Sequence, residues 1–388
     1  MMRITIITEY FPYSQRGEIR GGVEARCFYL GQELAKRHKV TVITSWQKET
    51  KRKDTIAGMA ILRVGPHHRY THKGYGAFVS RLRFAKAAKA MAARVPADVI
   101  DGTNFISYLP AFAAAKKQGI PAMATYHEVW VGAWIKNKGL VTGSLGTIWE
   151  RLVLTKPWDR IIAVSEFTKQ KLLAHGIPAK RIAVIPNGID ALLYQGSARK
   201  EKNPTICCVS RLTPQKRVED LLRAFTLVKK ELPHAQCIII GTGDEEVSLK
   251  QLAKTLGVSS SVQFLGFVRE HKRVMQYLKR SHVFCLPSVM EGFGITILEA
   301  MACGVPYVCT DIKPLQEITH QGKGGFLCRQ KDPHDLAAKL LQLLTDKRVY
   351  AQKARECRQY GRMRDWKRLA KEVEVAYQKG YKNVGEDS

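Results

Sequence analysis

The chain has 388 residues, 45% apolar and 25% charged, a length that suits two domains of about 150–200 residues and a composition typical of soluble globular proteins. Sixty-three Lys and Arg against 34 Asp and Glu give a net charge of +29, a field that attracts polyanions: nucleic acid, an anionic membrane surface or phosphorylated substrates. No stretch approaches the roughly 18 uninterrupted apolar residues of a membrane span, and nine cysteines, an odd number with no Cys-x-x-Cys pair, argue for free thiols, so neither disulfides nor zinc are expected.

The run from Met1 to Thr8 reads as a strand and carries no signal cleavage site, from which a cytoplasmic location is expected. A loop with Gly21 and Gly22 leads into a helical pattern from Val23 to Arg37, and Lys39 to Thr44 is strand-like again, which makes a βαβ unit of the Rossmann type. Residues 51–94 hold the densest charge, eleven Lys or Arg against the single acid Asp54. Within 78–93 the cations fall on several helix faces, including that of Phe78 and Leu82, a pattern of attraction to a membrane surface without insertion; a solvated surface is the alternative. Apolar runs recur at 98–100, 122–126, 160–164 and 182–185 with helical segments between most of them, implying a parallel sheet covered on both faces. His127 closes the strand-like run 122–126 beside Glu128; a lone histidine is as readily structural as functional, and exposure at a strand's carboxyl end would favour function. Trp130, Trp134, Trp149 and Trp158 follow, interleaved with Lys136, Lys138, Gly139 and Gly143. They either line an acceptor site or lipid headgroup contact, or pack in the core.

A break falls at about residues 189–203, where Gln195 to Pro204 is polar, charged and ends in proline, as expected of an interdomain linker. A second alternation follows, with strands at 205–209, 236–240, 262–265, 283–286 and 307–309 and helices at 218–232, 245–256, through Tyr277 and at 295–303. Helical patterns then continue from Asp335 to Lys382. Cys207, Cys208, Cys237, Cys285 and Cys309 lie in these apolar runs, where cysteine behaves as a small hydrophobe. The fold class is therefore α/β, two tandem Rossmann-like doubly wound domains facing a cleft, with the first over 1–190 and the second over 191–365.

The second half carries the chemistry. In Ser288 to Pro306, Glu291 stands in a loop above a buried strand and Glu299 about one turn into an apolar helix. A buried carboxylate there needs hydrogen-bond partners, and a ribose diol would supply them. Gly292 and Gly294 bare the backbone at the helix N-terminus, which favours anionic or hydroxyl-rich ligands; a helix with a well-placed glutamate behind a glycine loop is the plainer reading. Ser210 to Arg217 follows a core strand and opens a helix, so that Arg211 and Lys216 can meet on one pyrophosphate and stabilise charge developing there. The alternative is simple exposure of basic residues at a strand end. Gly241, and Gly21 with Gly22, are weaker phosphate or sugar contacts. No Asp-x-Asp triplet is present to hold a divalent metal, so neutralisation of a diphosphate falls to Arg211 and Lys216.

Together these motifs resemble the retaining glycosyltransferases of family 4, with the GT-B fold. The Glu291 to Glu299 motif with its Gly-Phe-Gly is the most specific mark; Ser210-Arg-Leu with Lys216, the Gly21-Gly22 pair and Ile185 to Asp190 fall in the expected order. The resemblance implies that the second domain holds a nucleoside-diphosphate sugar. Glu299 would take the ribose hydroxyls, Arg211 and Lys216 the diphosphate, Glu291 with Gly292, Phe293 and Gly294 the sugar, and the backbone at Phe267 and Val268 the base. It places His127 near the sugar, Gly22 near the diphosphate and residues 366–388 in a helix crossing back to the first domain. Catalysis would rest on His127, Arg211, Lys216 and Glu291, by front-face transfer with retention, without metal or cofactor and with domain closure excluding water. The acceptor expected is a lipid-linked glycan, phospholipid or growing polysaccharide, with peripheral contact to the inner membrane face and no nucleic acid. Two departures stand out: Arg217 occupies a position usually held by glycine, and so does Ser210. A nucleotide-sugar epimerase on the same architecture would share the donor site without needing an acceptor surface. Charge alone suggests a nucleic-acid-binding protein, but no recognisable module supports it.

Overall fold

The structure is a computed structural model that describes residues 1–14, 18–19, 21–48, 50–67, 75–190, 194, 196–361 and 364–384. Part of the basic stretch, 68–74, and four positions of the expected linker, 191–193 and 195, lie outside the described residues, as do 385–388 of the last segment. The chain divides into two compact units, residues 1–187 with 366–388, and 188–365.

The first unit contains β1 (Arg3–Ile7), α1 (Gly22–Ala35), β2 (Lys39–Trp46), β3 (Lys53–Ile56), β4 (Met59–His67), α2 (Tyr75–Ala92), β5 (Val99–Gly102), α3 (Tyr108–Gln118), β6 (Ala122–Tyr126), α4 (Trp134–Lys138), α5 (Leu140–Leu154), β7 (Arg160–Ala163), α6 (Glu166–Ala174) and β8 (Ile182–Val184). Its eight strands lie in the order β3-β4-β2-β1-β5-β6-β7-β8. All neighbours pair parallel except β3, which runs antiparallel to β4. The hairpin β3–β4 is absent from the pattern-based expectation. Its turn is Ala57-Gly58, with φ of 50° and 79°, the paired left-handed geometry of a two-residue hairpin loop. Alanine rarely signals that conformation, so the sequence carries little trace of it.

The second unit contains β9 (Thr205–Val209), α7 (Val218–Glu231), β10 (Gln236–Ile240), α8 (Glu246–Thr255), β11 (Val262–Gly266), α9 (His271–Arg280), β12 (Val283–Leu286), α10 (Ile295–Ala302), β13 (Tyr307–Thr310), α11 (Lys313–Ile318), β14 (Gly325–Cys328), α12 (Pro333–Thr345) and α13 (Lys347–Gly361). Its six strands are all parallel, in the order β11-β10-β9-β12-β13-β14. β12 and β13 are buried at every residue, and β9 and β10 at four of five, as a sheet covered on both faces requires. Cys207, Cys208, Cys237, Cys285 and Cys309 are all buried within these strands.

The last helix, α14 (Trp366–Val384), belongs to the first unit. Its apolar face buries Trp366, Leu369, Ala370, Val373 and Tyr377. Trp366 stacks on Tyr29 of α1 with ring centroids 6.4 Å apart, and the Tyr377 hydroxyl donates to Asp101 Oδ2 of β5 at 2.8 Å.

Candidate functional site

In the second unit the chain lays β9, β10 and β11 in one direction, then returns to the other side of β9 for β12. Open parallel sheets bind ligands beyond the carboxyl ends of their strands where the winding reverses in this way. The loop after β9 carries Arg211 and Lys216, and the loop after β12 carries Glu291, so the reversal brings them together. Lys216 Nζ donates to Glu291 Oε1 at 2.6 Å, and the Val289 N–H donates to the Gln215 carbonyl at 2.9 Å. The ion pair is largely enclosed, its side chains 14% and 10% exposed. Two hydroxyl oxygens in the same loops, Thr213 Oγ1 and Ser288 Oγ, are buried without a hydrogen-bond partner. Orphaned buried polar atoms are rare, and groups of them mark places that a ligand or water completes. Arg211 is exposed at the end of β9.

Gly241 follows β10 with φ of 130°, and a Cβ there would come within 1.9 Å of the Ser210 carbonyl oxygen. Its N–H donates to the Gly266 carbonyl at 2.8 Å. It thus knits together the loops after β9, β10 and β11, and Phe267 and Val268 continue the third of them. Four adjacent strands thereby bring Glu291, Arg211, Lys216, Gly241, Phe267 and Val268 to one sheet edge.

Glu299 lies one turn into α10 and is 5% exposed. The sequence reading looked to a ligand for its partners, but the protein already supplies two. Glu299 Oε1 lies 2.8 Å from His271 Nε2 and accepts from the Tyr194 hydroxyl at 3.4 Å. Neither partner was anticipated. Gly294 is the N-cap of α10 with φ of 88°, and a Cβ there would meet Leu315 at 2.6 Å. Gly292 precedes it, and Phe293 is buried with the Arg364 guanidinium 5.6 Å above its ring. Arg217, at the position where glycine was expected, adopts the left-handed conformation glycine would take, φ 51° and ψ 38°. Its guanidinium holds Asp220 through two bonds of 2.9 and 2.8 Å and also contacts Glu219.

In the first unit the winding reverses between β1 and β5. Gly21 caps α1 and Gly22 opens it, both after β1. His127 follows β6 but is half-buried rather than exposed, and its Nε2 is enclosed without a partner. Burial, with the Arg26 charge adding to it, pulls its pKa down to about 3, so the ring is neutral at pH 7. Arg26 is itself 1% exposed and donates from one terminal nitrogen to the Ile185 and Pro186 carbonyls and Asn187 Oδ1. Asp101 is pushed up to about 6 by burial, against the bonds it accepts from Thr125 and Tyr377 and the charge of Arg26. The tryptophans divide. Trp158 is core, donating to the Val153 carbonyl, and Trp149 donates to the Phe105 carbonyl at 3.1 Å. Trp130 and Trp134 have ring centroids 5.0 Å apart, and their indole N–H groups bind Glu128 and Glu150.

Comparison with known proteins gives two family matches: residues 20–191 match Glycosyltransferase Family 4, and residues 193–364 match Glycosyl transferases group 1. The chain is 26% identical to the phosphatidylinositol N-acetylglucosaminyltransferase gpi3 subunit of Schizosaccharomyces pombe over 337 residues, 84% of this chain and 70% of that protein. Three other curated relatives are matched over about half to two thirds of their own length. Among solved structures, the sucrose-phosphate synthase of Thermosynechococcus elongatus superposes with a TM-score of 0.83 at 19% identity, covering 97% of this chain and 98% of that one. HepE of Anabaena in complex with UDP-glucose gives a TM-score of 0.76 at 18% identity, covering 97% of this chain and 100% of that one. These likenesses establish the GT-B fold.

Proposed function

Because the chain belongs to the family 4, group 1 glycosyltransferases, enzymes that use nucleotide sugars, we propose that it transfers a sugar from a nucleoside diphosphate to an acceptor hydroxyl with retention at the anomeric carbon. The observation that carries the reading is the Lys216–Glu291 pair at the winding reversal of the second sheet, beside two orphaned hydroxyls. Without donor, Glu291 neutralises the ammonium. A diphosphate entering the loop after β9 competes for Lys216 and releases Glu291 toward the sugar, so a single exchange of partners readies both residues. Arg211, in the same loop at the tip of β9, adds the second cation. As the anomeric bond breaks, charge collects on the departing phosphate, and two fixed cations stabilise it more than they stabilise the bound donor. That supplies the role a divalent metal would otherwise play. The leaving oxygen then takes the acceptor proton on the same face, so neither glutamate needs to act as a covalent nucleophile.

Glu299 is assigned the ribose hydroxyls, the loop at Phe267 and Val268 the base, and Gly292 to Gly294 the sugar. Gly21 and Gly22, at the N-terminus of α1, are assigned a diphosphate contact. His127, neutral and with a free Nε2, is assigned a sugar hydroxyl. The acceptor is proposed to be lipid-borne, since the Schizosaccharomyces pombe relative is a subunit of a phosphatidylinositol N-acetylglucosaminyltransferase. UDP-sugars are the first donors to try, since HepE binds UDP-glucose.

Two measurements test this reading. In a thermal-shift panel of UDP, GDP and ADP with their sugars, one nucleotide series should raise the midpoint, because a ligand that binds only the folded state stabilises it. With that donor, Glu291→Ala should lower kcat by at least about a hundredfold, the loss of about 3 kcal/mol typical of a transition-state contact, while the protein remains folded. Full activity in that variant, or an inverted product anomer by NMR, would overturn the assignment.

A further inference from the structure

The helix α5 is built inside out. Its inward face contains Gly143 and Gly146, and both are needed for close approach. A Cβ on Gly143 would meet the Ile135 backbone at 2.5 Å, and one on Gly146 would meet the Trp134 ring at 2.6 Å. The same face turns in Glu150, whose carboxylate accepts from the Trp130 backbone N–H at 3.0 and 3.2 Å and from Trp134 Nε1 at 2.7 Å. The outward face carries the large aliphatics. Val141, Leu145, Ile148 and Leu152 follow i, i+4, i+7, i+11 spacing, and with Leu140 and Ile135 of α4 they are between 42% and 75% exposed. These six account for most of the large hydrophobics exposed among the described residues. A soluble helix places its residues the other way round, and so large a contiguous apolar patch marks a contact surface.

The charges on the patch select its partner. The exposed charged residues of the α4–α5 hairpin are Lys136, Lys138 and Arg151, all cationic, and its only acid is the inward Glu150. A second copy of this chain would bring the same cations face to face, which costs energy. An anionic bilayer surface offers both an acyl boundary for the aliphatics and counter-charge for the lysines and arginine. No described helix is long and apolar enough to cross a membrane, and α5 has 15 residues, a length that suits lying in the interface.

We propose that the α4–α5 hairpin is an interfacial docking element that seats the first unit on an anionic lipid surface through Val141, Leu145, Ile148 and Leu152. This relocates the membrane contact from the basic helix α2, where Phe78 and Leu82 are half-buried and the exposed residues among those described are Arg83, Lys86, Lys89 and Ala90. It is independent of which sugar or acceptor the enzyme uses.

The test is co-sedimentation of the full chain with phosphatidylglycerol and phosphatidylcholine vesicles at physiological salt, alongside light scattering without lipid. The protein should partition at least about tenfold better onto phosphatidylglycerol. Ile148→Asp with Leu152→Asp should reduce that partition about tenfold while leaving the thermal midpoint and the nucleotide-induced shift unchanged. A second pair, Leu140→Ser with Val141→Ser, should act in the same direction and stands in if the first fails to fold. Three outcomes overturn the proposal: no vesicle binding, binding that both pairs leave intact, or a dimer in solution that the substitutions dissociate. Failure here with a normal nucleotide shift leaves the enzyme assignment standing, so the two readings are separable.

Discussion

Burying a carboxylate beside an apolar helix costs several kcal/mol unless it is hydrogen-bonded, and Glu299 meets that cost before any ligand arrives, through His271 and Tyr194. An oxygen pinned by an imidazole and a phenol leaves the other oxygen in a fixed direction, which suits a diol. His271→Ala should therefore raise KM for the donor about tenfold while changing kcat less than about threefold, as steady-state kinetics would read; a fall in kcat at constant KM would contradict a positioning role. The sequence made Glu291, Arg211 and Lys216 visible because each follows an apolar run at a glycine, proline or charge break. It did not reveal that Lys216 touches Glu291, since residues 75 positions apart meet only through strand order. Tyr194 stands between a short apolar run, Ala191 to Leu193, and the polar linker that begins at Gln195, and His271 opens a helix whose buried aliphatics begin at Val274. Neither leaves a pattern to read. His127 was visible at its strand end, but its burial was not, because burial is set by parts of the chain distant in sequence; the Arg26 charge that acts on it comes from α1.

Among elements, the parallel core strands were legible almost to the residue because burial on both faces writes continuous apolar runs. The hairpin β3–β4 and the edge strand β14 were missed, the first for its Ala57 turn and the second because it starts at a glycine and is only half-buried at its centre, so it lacks a continuous apolar run. The start of α7 shows how a departure from the family pattern is accommodated. Arg217 holds a left-handed backbone that costs a non-glycine residue about 1–2 kcal/mol, and it offsets that with a two-bond grip on Asp220, which is 4% exposed. Both Arg217→Gly and Arg217→Ala lose the grip, but only alanine keeps the strain. The alanine variant should be less stable than the glycine variant by about 1 kcal/mol in urea unfolding. Equal stability would show that the conformation carries no strain.

At the scale of the whole molecule, the first unit is assembled from two separated lengths of chain, joined where Tyr377 donates to Asp101. Asp101 is fully enclosed and its folded pKa, about 6, stands above the ordinary 3.8. With the folded value raised, the folded state binds the proton more tightly than the unfolded chain does. The stability this group contributes is present below about pH 4 and is lost as pH rises through about 6. The stability of Asp101→Asn relative to the natural protein should therefore climb by up to about 3 kcal/mol between pH 4 and 7, whatever its offset at acid pH. A flat difference across that window would exclude titration of Asp101. Tyr377→Phe should cost about 1 kcal/mol by loss of one buried hydrogen bond. The same junction has a consequence for biosynthesis. Asp101 and Tyr377 are 276 positions apart, so the amino-terminal sheet leaves the ribosome without its closing helix. From Val184, where the sheet is complete, to Tyr377 is 193 residues, and at about 5–20 residues per second the wait is on the order of 10–40 s. During that interval an apolar flank of the nascent sheet stays bare, while the contiguous second unit can finish folding behind it. A chaperone's main client in this chain is then the half that is translated first.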